Sequence, residues 1–263
     1  MIESEDQTGR KVILNDYPSA IVSVVPSQTE LLFDLGLEDK IAGVTKFCVH
    51  PAKALNTKTI VGGTKNLNIE KIRSLNPDLI LANKEENTRE QIEILLSEFP
   101  VWVSDVKTLA DAKTMINRIG EITGVQNLAK NLTDKISSAF TWLQTSNLRP
   151  YVNTCAYLIW HKPMMTIGGD TFIHCLMKLA GFENIFADRK RYPEISEADL
   201  VNADPEIIML SSEPFPFCEN HFKYYRSVCP KAKIIIVDGQ MFSWYGSRLR
   251  YAPEYFLNLY QSI

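Results

Sequence analysis

The stretch AIVSVVPSQTELLFDLGL, residues 20–37, decides the fold class. Its β-branched run from Ile21 to Val25 predicts a buried strand, and Pro26 ends that run. Ser27, followed three residues later by Glu30, matches a capping box, so we expect a helix to begin at Ser27 or Thr29. The stretch therefore predicts a strand, a tight turn and a helix.

The same alternation of strand and helix continues along the chain. KIAGVTKF predicts a second short strand, TIVGGTKNLNIEKIRSLNPDLILANKEEN predicts strand, glycine turn, helix and strand, and QIEILLSEFPVWVSDV repeats the order. After residue 150 the alternation resumes in TCAYLIW, TFIHCLMKLAGF, ISEADLVNADPEIIMLSS and KIIIVDG. Strands separated by short helices favour parallel sheets covered on both faces, so the predicted fold class is α/β.

The segment from Leu109 to about Thr145 predicts helix only. One apolar stripe recurs there at steps of three and four, formed by Leu128, Leu132, Ile136, Ala139, Phe140 and Leu143. A helix of ~18 residues is roughly 27 Å long, enough to run from one lobe to another. The predicted division is an α/β lobe over residues 1–108, a bridging helical segment over 109–149 and a second α/β lobe over 150–263.

The two predicted lobes share a short repeated sequence motif, which we call the echo. LNPDLILA at residues 75–82 and ADPEIIML at residues 203–210 both combine a helix end, a proline, an acid and a buried strand. A shared order of this kind favours two similar halves, although helix, proline, acid and strand is also a common way to enter a strand.

Composition and charge exclude some classes of protein. The 28 basic and 31 acidic residues give a net charge of −3, so the chain has neither the basic face that nucleic acid requires nor a polybasic membrane anchor. No apolar window reaches the ~18 residues of a membrane span, and MIESEDQTGRK does not resemble a secretory signal, so the chain is expected to be leaderless or a mature form. Five cysteines without a C-x-x-C pair predict free thiols.

Ligands of parallel α/β sheets bind beyond the carboxyl ends of the strands, and here those segments are rich in aromatic residues. The motifs of serine hydrolases, zinc proteases and phosphate loops do not occur in the sequence. Several strand-end side chains are therefore candidates for stacking on a large flat ligand: Trp160, Met165, Phe215, Phe217, Trp244 and Tyr245. The alternative for Phe242 and Trp244 is that they plug the edge of the sheet.

The histidines and charged clusters allow two interpretations. His50 and His161 follow strands, so either can line a pocket, and one can ligate the metal of a bound cofactor. His174 and His221 are predicted to be structural. Cys48 is predicted to be an inert, buried thiol. The runs KEEN and RKRYPE are predicted to be solvated faces.

Several motifs together carry a family resemblance. DQTGRKVIL, the residue 20–37 stretch with its S-x-T-E helix entry, NIEKIRSLNPDLILA and GGDTFIHCLMKLAGFENIF resemble the substrate-binding proteins of ABC importers for vitamin B12 and iron chelates, over nearly the whole chain. This family, the helical-backbone class III, implies two Rossmann-like lobes with mainly parallel sheets, joined by a long rigid backbone helix. It also implies a ligand held between the lobes.

The resemblance is strongest to the cobalamin-binding branch, through NLNIEKI, GFENIF and RYPEIS. Position by position, it implies a set of ligand contacts: Phe47 or His50, Thr64, Asn83, Met165, Tyr192, Trp244 and Tyr245. Thr64 and Asn83 stand where the family often has tryptophan, and Trp160 and Phe215 are candidates to replace that aromatic surface. The family also docks on its importer through one acid on each lobe, which implies Glu70 and, one position out of register, Glu197.

The leading hypothesis is a non-enzymatic, monomeric binding protein that delivers a corrinoid, cobalamin in the first instance, to the membrane subunits of an ABC importer. Cobalamin is then cargo, and no intrinsic cofactor or metal is expected. The resemblance implies a periplasmic or other extracytoplasmic location, while the missing signal leaves a cytoplasmic carrier open. A ferric siderophore or haem binder is the close alternative, and it would use Lys65, Arg248 and Arg250. A two-lobed transferase that uses GGTKN and Asp238 is the alternative from another class.

Overall fold

The computed structural model describes residues 1–146 and 153–263, so the predicted boundary at 149/150 lies outside the described residues. The chain divides into two compact units. The first unit contains Met1–Val106, Ala110–Ile136 and Tyr245–Arg248. The second contains Lys107–Leu109, Leu249–Ile263 and the described part of Ser137–Trp244.

The first unit is built on a parallel sheet. The strands of this unit are β1 Ile2–Glu5, β2 Lys11–Leu14, β3 Ile21–Ser23, β4 Ile41–Val44, β5 Thr59–Ile60, β6 Gly62–Gly63, β7 Asn66–Leu67, β8 Leu79–Asn83 and β9 Val101–Ser104. Its helices are α1 Pro26–Asp34, α2 Ala54–Thr57, α3 Ile69–Leu75, α4 Arg89–Leu96 and most of α5 Leu109–Thr123. The sheet order is β5-β4-β3-β8-β9, with every pair parallel, and β3, β8 and β9 are buried along their whole length.

The second unit repeats this plan around a second sheet. Its strands are β10 Asn153–Trp160, β11 Met165–Thr166, β12 Phe182–Asn184, β13 Ile207–Ser211 and β14 Lys233–Val237. Its helices are α7 Phe172–Leu179, α8 Glu197–Ala203, α9 Phe222–Val228, α10 Gly239–Ser243 and α11 Ala252–Ser262. β10, β13 and β14 are parallel neighbours, β12 is parallel to β10, and β11 is antiparallel to β10. The prediction of an α/β fold with mainly parallel sheets is confirmed.

The echo between the halves corresponds to the same local structure. Asn76 caps the end of helix α3 and Asp204 caps the end of α8, both in the left-handed conformation, and each cap is followed by a proline and a central strand. The carboxylate of Asp78 accepts hydrogen bonds from the backbone N–H groups of residues 19 and 20. The carboxylate of Glu206 likewise accepts one from the N–H of residue 154. In both units the acid therefore fixes the start of the neighbouring strand.

The predicted start of α1, Ser27 or Thr29, is wrong by one or three residues, and the capping box does not form. The helix begins at Pro26, which occupies the first turn, and the N-cap residue Val25 has no side-chain cap. Proline suits this position because the first N–H groups of a helix have no partner within the helix. Ser27 is thus already helical, and Glu30 is free to bond outside the helix.

Helix α6, Gln126–Thr145, confirms the predicted long helix. Leu132, Ile136, Phe140 and Leu143 of the predicted stripe are buried, but Leu128 is exposed and Ala129 is buried in its place. The first unit contains α6 up to Ile136 and the second unit contains the rest. No helix in the described ranges combines the length and apolar character that crossing a membrane requires.

Candidate functional site

The carboxyl ends of the central strands in the first unit carry a buried polar network. Gln28 Nε2 donates to Ser104 Oγ (2.7 Å), and Asn83 Nδ2 donates to the same oxygen (2.9 Å). Ser104 Oγ in turn donates to the carbonyl of Ala82 (3.1 Å). All three side chains are buried, so their hydrogen bonds form in a medium of low polarity, where leaving one unmade is costly. This end of the sheet is therefore polar and closed.

Asn83, a predicted ligand contact, belongs to this network. Its Oδ1 accepts hydrogen bonds from the N–H groups of Glu85 and Glu86 (2.8 and 3.0 Å), which shapes the loop after β8. The same loop contains the partners of two further predicted contacts. The carbonyl of Thr64 accepts from Asn87 Nδ2 (3.0 Å), and Lys65 Nζ donates to the carbonyl of Glu85 (2.5 Å). The structure thus brings Thr64, Lys65 and Asn83 together around one loop.

The segment Tyr245–Arg248 packs on the same unit through two acids. The hydroxyl of Tyr245, which is 6% exposed, donates to Glu86 Oε1 (2.9 Å). Burial, together with the Glu86 charge, raises the pKa of Tyr245 well above its usual range. Gly246 lies so close to α1 that a Cβ would come within 2.4 Å of the carbonyl oxygen of Ser27. Glu86 therefore has a structural partner, and the prediction that KEEN is only a solvated face is wrong.

Arg248 forms a bidentate ion pair with Glu30. The two bonds are Nε to Oε2 (3.0 Å) and Nη2 to Oε1 (2.6 Å), and both side chains are only 13% exposed. Burial raises the pKa of Glu30, and the Arg248 charge opposes that rise. The guanidinium is thus held in place by Glu30, an acid that the sequence interpretation had assigned to a helix cap.

Phe47 and His50 follow β4 in the first unit. Phe47 is exposed and lies over Gly63, where an added Cβ would meet the ring at 3.1 Å. Lys46 Nζ lies 5.1 Å from the centre of the Phe47 ring. His50 is half-buried, and its charge acts to lower the pKa of Glu30. Phe47 is therefore an accessible ring at the carboxyl end of its strand.

In the second unit, an aromatic residue ends β10. Trp160 ends β10 and is 37% exposed, and its ring meets Phe215 edge-on with centroids 5.5 Å apart. Phe215 is half-buried and also packs on Phe217, at 4.7 Å. Met165 is the register partner of Trp160 across β10 and β11. The structure thus brings Trp160, Met165 and Phe215 together at one end of the sheet. Trp160 is exposed, and the side chains of Met165 and Phe215 beside it are half-buried.

The aromatic residues that follow β14 are largely buried. Phe242 lies in the core against Tyr157 and Phe256, with ring centroids at 5.2 and 4.7 Å, so the sheet-plug alternative holds for this ring. Trp244 is 8% exposed, and its Nε1 donates to Glu213 Oε1 (2.9 Å). Burial raises the pKa of Glu213, which also accepts from the hydroxyl of Ser243.

The remaining predicted residues lie apart from these ring contacts. Tyr192 is half-buried, with the Arg191 guanidinium 5.8 Å from its ring centre. Glu70 lies in the first turn of α3, exposed, and pairs with Arg73. Glu197 lies in the first turn of α8 and accepts the hydroxyl hydrogen of Tyr224 (2.5 Å). The two acids therefore occupy the first turns of the two helices in the echo.

Three partly buried acids are the functional candidates that the sequence interpretation missed. Glu30, Glu86 and Glu213 bond to residues 218, 159 and 31 positions away, so no local pattern identifies them. Cys48 is buried between two threonine hydroxyls, and burial raises the pKa of its thiol, in agreement with the predicted inert role. Among residues 1–146 and 153–263, no group of three or more His, Cys, Asp or Glu side chains is placed to hold a metal ion.

Comparison with known proteins identifies the family. The family model described as "Periplasmic binding protein" matches residues 21–221, which include both strand-end regions. The chain belongs to the periplasmic binding protein family. Members of this family are substrate-binding proteins that work with the membrane components of ABC importers and are in general not enzymes.

Two curated relatives of this periplasmic binding protein are 26% identical to it. One is an uncharacterized ABC transporter substrate-binding lipoprotein of Bacillus subtilis, aligned over 213 residues, which is 78% of this chain and 67% of the relative. The other is a vitamin B12-binding protein of Yersinia pestis, aligned over 193 residues, 73% of this chain and 69% of the relative.

Solved structures show the same fold. The periplasmic vitamin B12-binding protein of Vibrio cholerae has a TM-score of 0.77 at 23% identity and covers 94% of this chain and 99% of its own. A periplasmic haem-binding protein of Vibrio cholerae has a TM-score of 0.77 at 21% identity, with 92% and 98% covered. The likeness extends over nearly the whole chain and includes both units.

Proposed function

We propose that this periplasmic binding protein captures a corrinoid, cobalamin in the first instance, and delivers it unchanged to the membrane subunits of an ABC importer. The observation that carries the proposal is the pair of accessible rings at one sheet end, Trp160 and Phe215. A macrocycle has a wide, flat, largely apolar face, and aromatic side chains bind such a face with little loss of rotamer entropy.

The polar groups at the other sheet end complement this choice. Cobalamin carries a rim of amide side chains around its macrocycle, and amides need hydrogen-bond donors and acceptors rather than charges. The exposed Phe47 and the neighbouring Thr64 and Lys65 supply an accessible ring and polar groups in the first unit. The curated relative from Yersinia pestis, which is named a vitamin B12-binding protein, supports the same ligand class.

The proposed importer contact uses Glu70 and Glu197. Both acids lie in first helical turns, where a carboxylate is stabilised by the N-terminal end of the helix. An exposed acid on each unit can guide docking onto basic residues of a membrane subunit, through on-rate and orientation more than through affinity. The proposal places the protein outside the cytoplasm, as a monomer without a resident cofactor.

A haem or ferric siderophore is the second candidate ligand. The haem-binding protein of Vibrio cholerae shares the fold, and the same rings would serve a porphyrin. A ferric chelate with acidic groups would instead require free cations, but the Arg248 guanidinium is bonded to Glu30. This pairing favours a ligand without carboxylates.

The residues that a transferase would use have structural roles. Asp238 accepts a hydrogen bond from the N–H of Gln240 and caps α10. Gly62 and Gly63 form strand β6 and pair with β7. These placements support a binding protein over an enzyme.

Calorimetric titration with cyanocobalamin, haemin and a neutral ferric hydroxamate tests the proposal. We expect saturable binding of cyanocobalamin at micromolar protein or below, and its recovery unchanged, by absorption spectrum, after release. Binding of haemin or the hydroxamate alone would replace the corrinoid by that ligand. The absence of heat with all three would contradict the proposed ligand class.

A further inference from the structure

His161 lies at the centre of an aromatic group in the second unit. Its ring centroid is 5.1 to 6.3 Å from those of five other rings. We name this group the His161 cluster; its members are His161, Phe215, Phe217, His221, Tyr224 and Tyr225. One polar contact fixes the imidazole, because His161 Nδ1 lies 3.1 Å from the hydroxyl oxygen of Tyr225.

The His161 cluster packs on the connection between β13 and α9, whose first two residues, Ser212 and Glu213, are also hydrogen-bonded to the segment after β14. Residues 212–221 link β13 to α9, and their described backbone N–H bonds are few. Ser212 donates to Val237, Phe217 donates to Phe215, and His221 donates to Cys218. From Phe215 onward, contacts between rings rather than a backbone ladder therefore keep this connection against the end of β10.

The surroundings of His161 disfavour a positive charge. Lys162 is the next residue, and the ring of His221 is 5.1 Å away across the cluster. Cys218 contacts His221 with Sγ 3.4 Å from Nδ1. From α9, Tyr225 faces the imidazole, and Tyr224 donates its hydroxyl hydrogen to Glu197 of α8. Burial first, then the charges of His221 and Lys162, lower the pKa of His161.

We propose that the His161 cluster is an acid-sensitive latch, in which proton uptake by His161 loosens the connection 212–221 and with it Phe215. A cation placed among half-buried rings and next to Lys162 loses hydration without gaining a carboxylate partner. The rings supply some cation–π attraction, which opposes this cost. Burial and the charges of His221 and Lys162 act in the other direction and lower the pKa of His161. The inference does not depend on the identity of the ligand.

The sign of the pH dependence follows from linkage. Because the pKa of His161 is lower in the folded state, the folded cluster binds its proton less readily than the unfolded chain does. The contribution of His161 to the stability of the closed cluster is therefore fully present above about pH 6.5. It is lost as the pH falls through the pKa that His161 has in the folded state. For a single proton, the change in the opening equilibrium is at most about tenfold per pH unit.

Hydrogen exchange of the 212–225 peptide, compared between variants at equal pH, tests the latch. His161→Phe keeps a ring in the cluster and removes the titrating group, and His174→Gln is the matched control because His174 lies in α7 and also has a pKa lowered by burial. We expect the ratio of exchange rates, wild type over His161→Phe, to rise several-fold between pH 7.5 and pH 5.5. His174→Gln should behave as the wild type in this peptide.

A titration of the wild type by NMR, which follows the imidazole Cε1–H of His161, needs no folded variant. We expect a midpoint below the peptide value of about 6.5. A midpoint at or above that value, or an exchange ratio that does not change with pH, would overturn the proposal.

Discussion

The two units share one plan but differ at the carboxyl ends of their central strands. In the first unit, β8 and β9 end in Asn83 and Ser104, which are buried and hydrogen-bonded to each other. In the second unit, β13 ends in Ser211, which is also buried and accepts a hydrogen bond from the Tyr157 hydroxyl, but β10 ends in Trp160, which is exposed and packs edge-on against Phe215. Both units therefore have a buried polar strand end, but the second also carries a pair of contacting, partly accessible rings where the first has the single exposed ring of Phe47.

This difference separates what builds the fold from what can bind a ligand. The helix, proline, acid and strand of the echo are present in both units, and both acids fix a neighbouring strand. The strand-end side chains are not shared. We infer that the buried network of Gln28, Asn83 and Ser104 stabilises the first unit, whereas Trp160 and Phe215 of the second unit are accessible to an apolar ligand face.

The largest effect is expected from breaking the ion pair of the first unit. Arg248→Met leaves Glu30 largely buried without its bidentate partner, so the free energy of unfolding should fall by about 3 kcal/mol. Urea unfolding measures this loss. Arg118→Met, which breaks an exposed pair with Glu121, is the control and should change the midpoint little. Equal effects of the two changes would contradict the assignment of Arg248 to the stability of the first unit.

The next effect should come from the polar network itself. Ser104→Ala removes the short hydrogen bonds that both the Gln28 and the Asn83 amide donate to its hydroxyl. The amides keep longer bonds to the carbonyls of Ala82 (3.4 Å) and of residue 104 (3.2 Å), so the free energy of unfolding should fall by about 1 kcal/mol. Ser97→Ala, at the exposed end of α4, removes one hydroxyl bond and serves as the control in the same unfolding experiment. A loss no larger than that of the control would show that the network contributes little to stability.

The aromatic end should affect affinity rather than stability. Trp160→Ala removes an exposed ring beside Phe215, and we expect about a tenfold weaker Kd for the corrinoid with an almost unchanged melting temperature. Trp142→Ala removes an exposed ring on α6 and should leave the Kd unchanged. If both changes weaken binding equally, the ring end of the second unit is not the specific contact.

The smallest effect is expected at Glu213. Burial raises the pKa of this carboxyl in the folded state. Its favourable contribution to the free energy of unfolding is therefore complete below about pH 4.3 and is lost as the pH rises through the pKa of the folded state. Glu213→Gln keeps an acceptor for Trp244 Nε1 without the charge, and at pH 7.5 we expect it to match or exceed the wild type by less than about 1 kcal/mol. Thermal unfolding at pH 7.5 and pH 4 should show that advantage disappear in acid; an advantage that grows in acid would contradict the sign.

The sequence predicted the elements of the fold well because burial imposes periodicity. The run at Ile21–Val25 and the stripe at Leu132–Leu143 are local patterns; the run is buried as expected, and so is the stripe except for the half-buried Ala139. The start of α1 was misplaced because proline at the first helical position competes with a serine cap. Leu128 was misplaced because a leucine at helical spacing can lie at the edge of the apolar stripe.

The candidate site was less predictable because it depends on contacts between distant residues. Tyr245 was predicted to stack on a ligand, but its ring is buried and its hydroxyl bonds to Glu86, 159 positions away. Trp160 and Phe215 were named as candidates because one ends a strand and the other follows a strand, and ligands of parallel sheets bind beyond the carboxyl ends of the strands. Their role as ligand contacts stays a prediction.

Diffraction from crystals grown with cyanocobalamin, measured at the cobalt absorption edge, tests the central claim most directly. The account predicts one anomalous cobalt peak, with the macrocycle in van der Waals contact, within about 4.5 Å, of the Trp160 or Phe215 ring. A well-ordered cobalt site whose macrocycle touches neither ring would contradict it.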